Sequence, residues 1–224
     1  MGAAKGYAGA CVMTRLYRLD CDAAQIALSF DAVAGDDPWA GGYAAPGRFA
    51  PVVTAGREYV AGPRVRTGSA APVRPRITPR LWGVMPPPSA SDPERRIASL
   101  RNPQSPFWIG NLRNSEFRCL VPATAFMEWG SGTDYEGRRL KHWFALEEAG
   151  IFAMAAVWKD ADIPAFALLT RQARGRAAQT GARSMPVIIA PGSRECAQWL
   201  HGEWGAAARV IDAPTPQHLI EITV

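Results

Sequence analysis

A succession of short apolar runs in the second half of the sequence restricts the fold more than any other feature. Turn-rich or charged residues separate these runs, which span 117–121, 125–129, 142–146, 151–158 and 165–170. Apolar or alternating runs of this length are typical of β-strands. Further strands are expected at 185–190 and 219–224. We therefore predict a domain built mostly on antiparallel β-sheet.

Predicted helices are fewer and lie outside these strands. Asp20 or Asp22 can cap a helix through Ile26 and Phe30, where the apolar spacing follows a helical face. A second helix is expected at 192–200. Many strands with a few peripheral helices indicate the α+β class. By contrast, residues 64–80 carry three prolines and five arginines and are expected to form an extended connection.

The domain organisation follows from length and composition. A chain of 224 residues fits one domain with a sizeable core, and it contains no internal repeat and no clear linker. The first twelve residues are small and weakly basic. We expect residues 1–12 to be a flexible extension and residues 13–224 to be the domain.

The chain is basic, with a net charge of +5 and a pI of about 9.3. A basic surface suits a polyanion such as nucleic acid. Lysine occurs only at positions 5, 141 and 159, so nearly all the basic residues are arginines. A GC-rich coding sequence would also produce this composition, and both explanations stay open at this point.

Cysteine and histidine usage argues against a metal site. The four cysteines stand at positions 11, 21, 119 and 196 without a Cys-x-x-Cys pair, and the three histidines stand at 142, 201 and 218. We expect no zinc site, structural roles for the histidines and a reducing cytosolic setting. No apolar run is long enough to predict a membrane span.

Six short segments resemble, in order, the motifs of a known protein family. They read MTRLYR at 13–18, YAAPG and PVV within 43–53, WGVMP at 82–86, SLRN and SPFW within 99–108, RCLVPATAFMEW at 118–129 and ARSMPVI at 182–188. The segment at 118–129 is the strongest match. Together they resemble the SOS response-associated peptidase (SRAP) family.

The resemblance implies a DNA-damage function. Members bind single-stranded DNA and join covalently to abasic sites through an N-terminal Cys that is exposed when the initiator Met is lost. The hydrolase or protease designation reflects self-removal of N-terminal residues. The resemblance implies no metal or organic cofactor. We expect a monomer in the cytoplasm, associated with the nucleoid, with single-stranded DNA as its partner and no membrane contact.

The resemblance assigns three catalytic positions. Thr14 stands where the family has its Cys, Glu128 aligns with the catalytic Glu, and Ser99 replaces an Asn that orients the reacting end. Glu128 lies in an otherwise apolar run, where an ionised carboxylate is costly unless it is used or paired. The alternative is that Glu128 faces solvent. The family's late His is replaced by Gly181, or by Ala182 after a shift of one residue.

Four residues are candidates for DNA contact. Arg101 and Arg183 are expected to bind phosphate, and Arg15 either binds phosphate or lowers the pKa of the neighbouring amine. Trp82 is a candidate for stacking on an unpaired base, with core packing as the alternative.

The Thr14 substitution leaves three functions open. A free α-amine at Thr14 can form a Schiff base with the abasic aldehyde, and the Thr hydroxyl can close an oxazolidine ring. This requires translation from Met13 or removal of residues 1–13. Alternatively, the chain is a DNA-binding module without covalent chemistry, or a Schiff-base lyase that cleaves the strand.

Overall fold

A computed structural model describes residues 14–35, 37–56, 74–147, 149–214 and 219–224. The predicted extension at residues 1–12 lies outside this part of the chain. None of the helices in the described ranges is long and apolar enough to cross a membrane.

Strands dominate the described chain. They are β1 Leu16–Leu19, β2 Gly42–Ala44, β3 Phe49–Thr54, β4 Arg76–Trp82, β5 Ser99–Leu100, β6 Arg118–Ala123, β7 Ala125–Thr133, β8 Arg139–Leu146, β9 Phe152–Lys159, β10 Ala165–Gln172, β11 Ser184–Pro186, β12 Ile188–Ile189 and β13 Leu219–Ile222. The helices are α1 Ala23–Phe30, α2 Pro106–Arg113, α3 Gly175–Gln179, α4 Arg194–His201 and α5 Trp204–Asp212, with a 3-10 turn at Ser115–Phe117. The predicted α+β class is confirmed.

The strands form two sheets. One has the order β13-β8-β7-β1-β2, and its described pairs are all antiparallel. In the other, the pairs β10-β4, β4-β3, β3-β6, β6-β9 and β9-β10 close into a ring. Closure gives each of these five strands two neighbours, although β4 meets β10 only at Leu81 and Trp82 and β3 meets β6 only at Val53 and Thr54.

The segment at 118–129 joins the two sheets. Its first half is β6 in the closed ring and its second half is β7 in the other sheet. Thr124 stands between them. Its backbone N–H and its hydroxyl both donate to the carbonyl of Arg18, at 2.7 Å and 3.0 Å. These bonds hold Thr124, the residue between β6 and β7, against β1 and so fix where β7 begins.

Arg118 begins this segment as a fully buried cation. Its guanidinium donates to the carbonyl of Trp199 at 2.5 Å, to that of Leu112 at 2.9 Å, and to that of Gly202. These carbonyls lie at or near the ends of α2 and α4, where the last backbone carbonyls of a helix have no partner within it. Arg118 therefore anchors two helices to the ring.

The first helix forms for the local reason expected from the sequence. Asp22 accepts from the backbone N–H of Gln25 at 2.8 Å, and the Gln25 side chain accepts from the backbone N–H of Asp22 at 2.9 Å. This capping box satisfies two N–H groups that a helix start would leave without a partner. Ile26 and Phe30 face the core, so the predicted helix is confirmed.

One prediction from local composition is wrong in part. The stretch at 64–80 was expected to be an extended connection, but its end, from Arg76, belongs to β4. Residues 57–73 lie outside the described chain. β4 pairs with β3 from Arg76 to Leu81, and Pro79 lies opposite Pro51. The partner strand stabilises this segment, a contribution that proline and arginine content does not reveal.

Candidate functional site

Thr14 and Glu128 meet in the interior of the protein. Thr14 lies just before β1, which pairs with β7, and its hydroxyl donates a hydrogen bond to Oε1 of Glu128. Both residues are only 1% exposed. The structure therefore brings together two of the three predicted catalytic residues, and it rules out a solvent-facing Glu128.

Burial changes the acidity of Glu128. Removal from water raises the pKa of the Glu128 carboxyl from 4.5 to about 8, and the hydrogen bond from Thr14 partly opposes this rise. Desolvation disfavours the charged form of an acid, whereas a donated hydrogen bond favours it. At neutral pH most of the carboxyl is therefore protonated. It can give a proton to a leaving group and then accept one as a carboxylate.

A small cavity lies beside this pair. It has a volume of about 170 Å³, and its lining consists of Thr14, Arg15, Arg95, Arg96, Ile97, Ala98 and Ser99. Ser99 is buried at the start of β5, which pairs with β10 in the ring. The cavity brings the third predicted catalytic residue to the same place as Thr14.

A larger basic groove continues from the cavity. It has a volume of about 840 Å³ and is lined by Arg15, Arg95, Trp129, Asp134, Arg138, Arg139, Leu140 and Lys141. Arg15 and Arg95 line both spaces. Five cationic side chains and one carboxylate make the groove strongly positive, which suits a phosphodiester backbone.

Trp129 forms an aromatic surface within this groove. The Arg139 guanidinium lies 5.8 Å from the centroid of the indole ring, and the Lys141 ammonium lies 5.5 Å from it. Trp129 is half-buried and directly follows Glu128. An aromatic face flanked by cations can stack on an unpaired base while the cations contact phosphate.

The other predicted DNA-contact residues lie elsewhere. Trp82 is fully buried, packs against Tyr17 and Phe166, and donates from its indole N–H to the Ala98 carbonyl at 2.8 Å. It is a core residue, so the stacking role is corrected to the core-packing alternative. Arg101 and Arg183 are exposed, but neither lines the cavity or the groove.

The sequence analysis missed the position of His142. In the β7–β8 pair, His142 lies directly opposite Glu128. Its Nδ1 is 2.6 Å from Oε1 of Glu221 on β13. The Asp134–Arg138 turn marks the two apolar runs as a hairpin, but the register shifts between Trp129 and Thr133, so the turn alone does not give the pairing of Glu128 with His142.

The position of the family's late His has no proton-transferring group. Gly181 has a φ of +80°, and a Cβ there would collide with the Ser131 side chain. Ala182 is buried. Within the described ranges, no group of three or more His, Cys, Asp or Glu residues is placed to hold a metal ion.

Comparison with known proteins decides the family. The model of the family "SOS response associated peptidase (SRAP)" matches residues 13–224. This chain belongs to the SRAP family. Membership supports a role associated with DNA damage and the SOS response, and an association with DNA. No curated protein matches this sequence.

Solved structures share the fold. A protein from Bordetella bronchiseptica superposes with a TM-score of 0.68 at 17% identity, covering 94% of this chain and 99% of that one. A phage-related protein from the same organism superposes with a TM-score of 0.67 at 14% identity, covering 94% of this chain and 93% of that one. A protein from Bacteroides thetaiotaomicron superposes with a TM-score of 0.64 at 15% identity, covering 92% of this chain and 90% of that one. At these identities the similarity establishes the SRAP fold alone.

Proposed function

We propose that this SRAP-family chain binds single-stranded DNA in the basic groove and reacts with abasic sites through the α-amine of Thr14. The observation that carries the proposal is the buried hydrogen bond between Thr14 and Glu128, beside a cavity that opens into that groove. The reaction requires a chain that begins at Thr14, because only then is the amine free.

The groove supports binding of single-stranded rather than fully paired DNA. Its cations suit phosphates, and Trp129 offers a face on which an unpaired base can stack. Arg15 and Arg95 line both spaces and would hold the phosphates that flank a sugar entering the cavity. We propose no part for Arg101 or Arg183 beyond phosphate contact by a longer DNA strand.

Glu128 fits the proton transfers of the proposed reaction. The Thr14 amine adds to the abasic aldehyde and gives a carbinolamine. The protonated Glu128 carboxyl gives a proton to the carbinolamine hydroxyl, which leaves as water, and a protonated imine remains. The Thr14 hydroxyl oxygen then bonds to the imine carbon while its proton passes to the Glu128 carboxylate. The product is an oxazolidine, and Glu128 is again protonated.

Ser99 would orient the reacting end of the chain. It lines the same cavity as Thr14, and a hydroxyl can both donate and accept a hydrogen bond. We propose that it contacts the carbinolamine hydroxyl or the sugar. The reaction uses no metal and no organic cofactor.

The test uses protein that begins at Thr14 and single-stranded DNA with one abasic site, with and without borohydride. We expect a covalent adduct that borohydride makes permanent. Glu128→Gln should slow its formation by about 100-fold, the usual contribution of a positioned acid or base. Protein that retains residues 1–13 is the matched control and should give no adduct.

The same experiment separates the alternative functions. An adduct that survives heating without reductant indicates ring closure by the Thr14 hydroxyl. An adduct that needs borohydride, together with strand breaks, indicates a lyase. DNA that is retained but neither linked nor cut indicates a binding module. Failure to bind single-stranded DNA at low salt contradicts the proposal as a whole.

A further inference from the structure

Three arginines surround the small cavity beside Thr14. Arg15 immediately precedes β1, and Arg95 and Arg96 lie shortly before β5. The hydroxyls of Thr14 and Ser99 complete the polar side chains of the lining. Among the described residues that line the cavity, three carry a positive charge and none carries a negative one. The cavity therefore attracts a small anion.

Acidic side chains do not neutralise these arginines. The ion pairs of the described chain lie elsewhere, and none of them includes Arg15, Arg95 or Arg96. The larger groove differs, because its Arg138 is paired with Asp134 at 2.9 Å. The positive charge at the cavity is therefore available to a ligand, whereas part of the charge in the groove is already compensated.

The fold holds Arg96 in place. Gly83 has a φ of +122°, and a Cβ there would lie 3.0 Å from Cβ of Arg96 and 3.3 Å from its Cδ. The stem of Arg96 thus packs directly on the Gly83 backbone, and its Nη1 donates to the Gly83 carbonyl at 3.2 Å. Two backbone hydrogen bonds between Val84 and Ile97, at 3.0 Å and 2.8 Å, keep the two segments together. Because a guanidinium has several N–H donors, Arg96 keeps donors for a ligand.

The size and the charge of the cavity together select the ligand. Its volume of about 170 Å³ is roughly that of six water molecules in the liquid, so it takes one small group rather than a run of nucleotides. The phosphodiester of an intact strand carries a single negative charge. A terminal phosphomonoester carries close to two at neutral pH and has three strong acceptor oxygens. Three guanidiniums match the phosphomonoester better, because each can donate two parallel hydrogen bonds to phosphate.

We propose that the cavity selects abasic sugars that end in a phosphomonoester. The sugar aldehyde reaches the Thr14 amine, and the phosphate lies among Arg15, Arg95 and Arg96. This inference rests on the proposed function and names its substrate class. The amine bonds to the aldehyde carbon as before, and the phosphate ester stays intact. Two sources have this chemistry: the 5′ end of a DNA strand that has been cut beside an abasic site, and free 2-deoxyribose 5-phosphate.

Binding to unreactive DNA tests the phosphate site without the reaction and without a variant. The probes are two single-stranded oligonucleotides whose 5′ residue is a tetrahydrofuran, which is an abasic sugar without an aldehyde. One probe carries a phosphate on its 5′ oxygen and the other a hydroxyl. For protein that begins at Thr14, we expect the phosphate to tighten binding by about tenfold at fixed ionic strength, the usual contribution of one charge-assisted hydrogen bond. Equal affinities contradict the inference.

Arg96→Met tests the cavity directly, because Arg96 lines the cavity but not the groove. The variant keeps an apolar stem against Gly83 and removes the guanidinium, so the preference for the phosphorylated probe should disappear. Arg96→Lys keeps the charge and should keep part of the preference. Arg113→Met is the matched control, since Arg113 is exposed at the end of α2 and lines neither space, and it should retain the wild-type preference. An Arg96→Met protein that keeps the preference, or that binds both probes more weakly by the same factor, contradicts the inference.

Borohydride trapping distinguishes the two sources. An oligonucleotide with a 5′-terminal deoxyribose phosphate should be trapped about tenfold faster than one with an internal abasic site, and free 2-deoxyribose 5-phosphate should be trapped faster than 2-deoxyribose. A free sugar phosphate that is trapped as fast as the oligonucleotide identifies a small-molecule substrate, and one that is trapped more slowly identifies the DNA end. If the phosphate brings no advantage in either pair, the inference is wrong.

The proposed function and this inference fail in different ways. If internal abasic sites are trapped and the phosphate brings no advantage, the function stands and the selection of a phosphomonoester is wrong. If no substrate is trapped but the phosphorylated probe is bound more tightly, the reaction at Thr14 is wrong, and the preference of the cavity for a phosphomonoester is supported.

Discussion

The segment at 118–129 carries a buried ionisable residue near each end, and the two differ in their hydrogen-bond partners and surroundings. Arg118 is 0% exposed and Glu128 is 1% exposed. Arg118 donates to three backbone carbonyls, whereas the hydrogen bond given to Glu128 comes from the neutral hydroxyl of Thr14. Thr14, the partner of Glu128, lines a cavity, whereas the partners of Arg118 lie at or near helix ends.

The difference in partners is matched by a difference in charge state. Burial lowers the pKa of the Arg118 guanidinium to about 10, so it stays charged at neutral pH. Burial raises the pKa of the Glu128 carboxyl to about 8, so it is mostly neutral there. Arg118, with its three hydrogen bonds to helix-end carbonyls, is suited to holding the helices on the ring. A buried acid that titrates near neutral pH beside a cavity is suited to proton transfer.

The largest expected effect tests Arg118 as a structural residue. Arg118→Met should lower the free energy of unfolding by about 4 kcal/mol, because three buried carbonyls lose a charged donor. Urea unfolding at neutral pH measures it. Arg118→Lys should lose less, since one ammonium keeps the charge but does not reproduce the planar set of donors. If Arg118→Met lowered the free energy of unfolding by less than about 1 kcal/mol, the helix ends would not depend on Arg118 for their stability.

The second prediction concerns the pH dependence of stability at the Glu128 end. Below about pH 4.5 the Glu128 carboxyl is protonated in both the folded and the unfolded chain, so it adds no penalty. As the pH rises toward 8, the unfolded chain ionises while the folded chain keeps its proton, so the folded state loses stability. Above pH 8 both states are ionised and the penalty stays constant.

Glu128→Gln removes this penalty. Its free energy of unfolding should therefore increase relative to that of wild type as the pH rises. The difference in unfolding free energy should grow by of the order of 3 kcal/mol between pH 4.5 and pH 7. Urea unfolding of both proteins across this range measures it. A difference that does not change with pH would show that Glu128 ionises normally in the folded protein.

The third prediction tests whether the end of the 118–129 segment that carries Glu128 and Trp129 contacts DNA. Trp129→Ala should weaken binding of a labelled oligothymidylate by about tenfold at low salt, in line with the loss of one stacked base. Fluorescence anisotropy measures the affinity. Tyr135→Ala is the matched control, because Tyr135 is 94% exposed at the tip of the same hairpin but does not line the groove. Equal losses in both variants would argue against a stacking site at Trp129.

The smallest expected effect concerns the bond between Thr14 and Glu128. Thr14→Val should raise the pKa of the Glu128 carboxyl further, because the hydrogen bond that favours its ionised form is lost. The free energy of unfolding should fall by about 1 kcal/mol. Carboxyl titration by NMR measures the pKa, and Thr14→Ser should keep it near the wild-type value. An unchanged pKa in Thr14→Val would show that the hydroxyl does not set the acidity of Glu128.

Some parts of the site could be predicted from the sequence because they depend on nearby residues or on a motif. Glu128 stood out as a lone acid in an apolar run, and Thr14 and Ser99 were found through the motif order. Trp82 and His142 were misjudged for one physical reason. Whether a side chain faces the core, the cavity or a neighbouring strand depends on the pairing partner, which is distant in the sequence.

The sequence by itself determined most strands of the second half, the capped helix α1 and the family, because apolar periodicity, capping residues and motifs are local properties of the chain. Only the tertiary structure decided that Trp82 lies in the core, that Trp129 lines a basic groove, and that His142 lies opposite Glu128. These placements follow from ring closure and from the register of β7 with β8, and both are set by contacts between segments far apart in the chain.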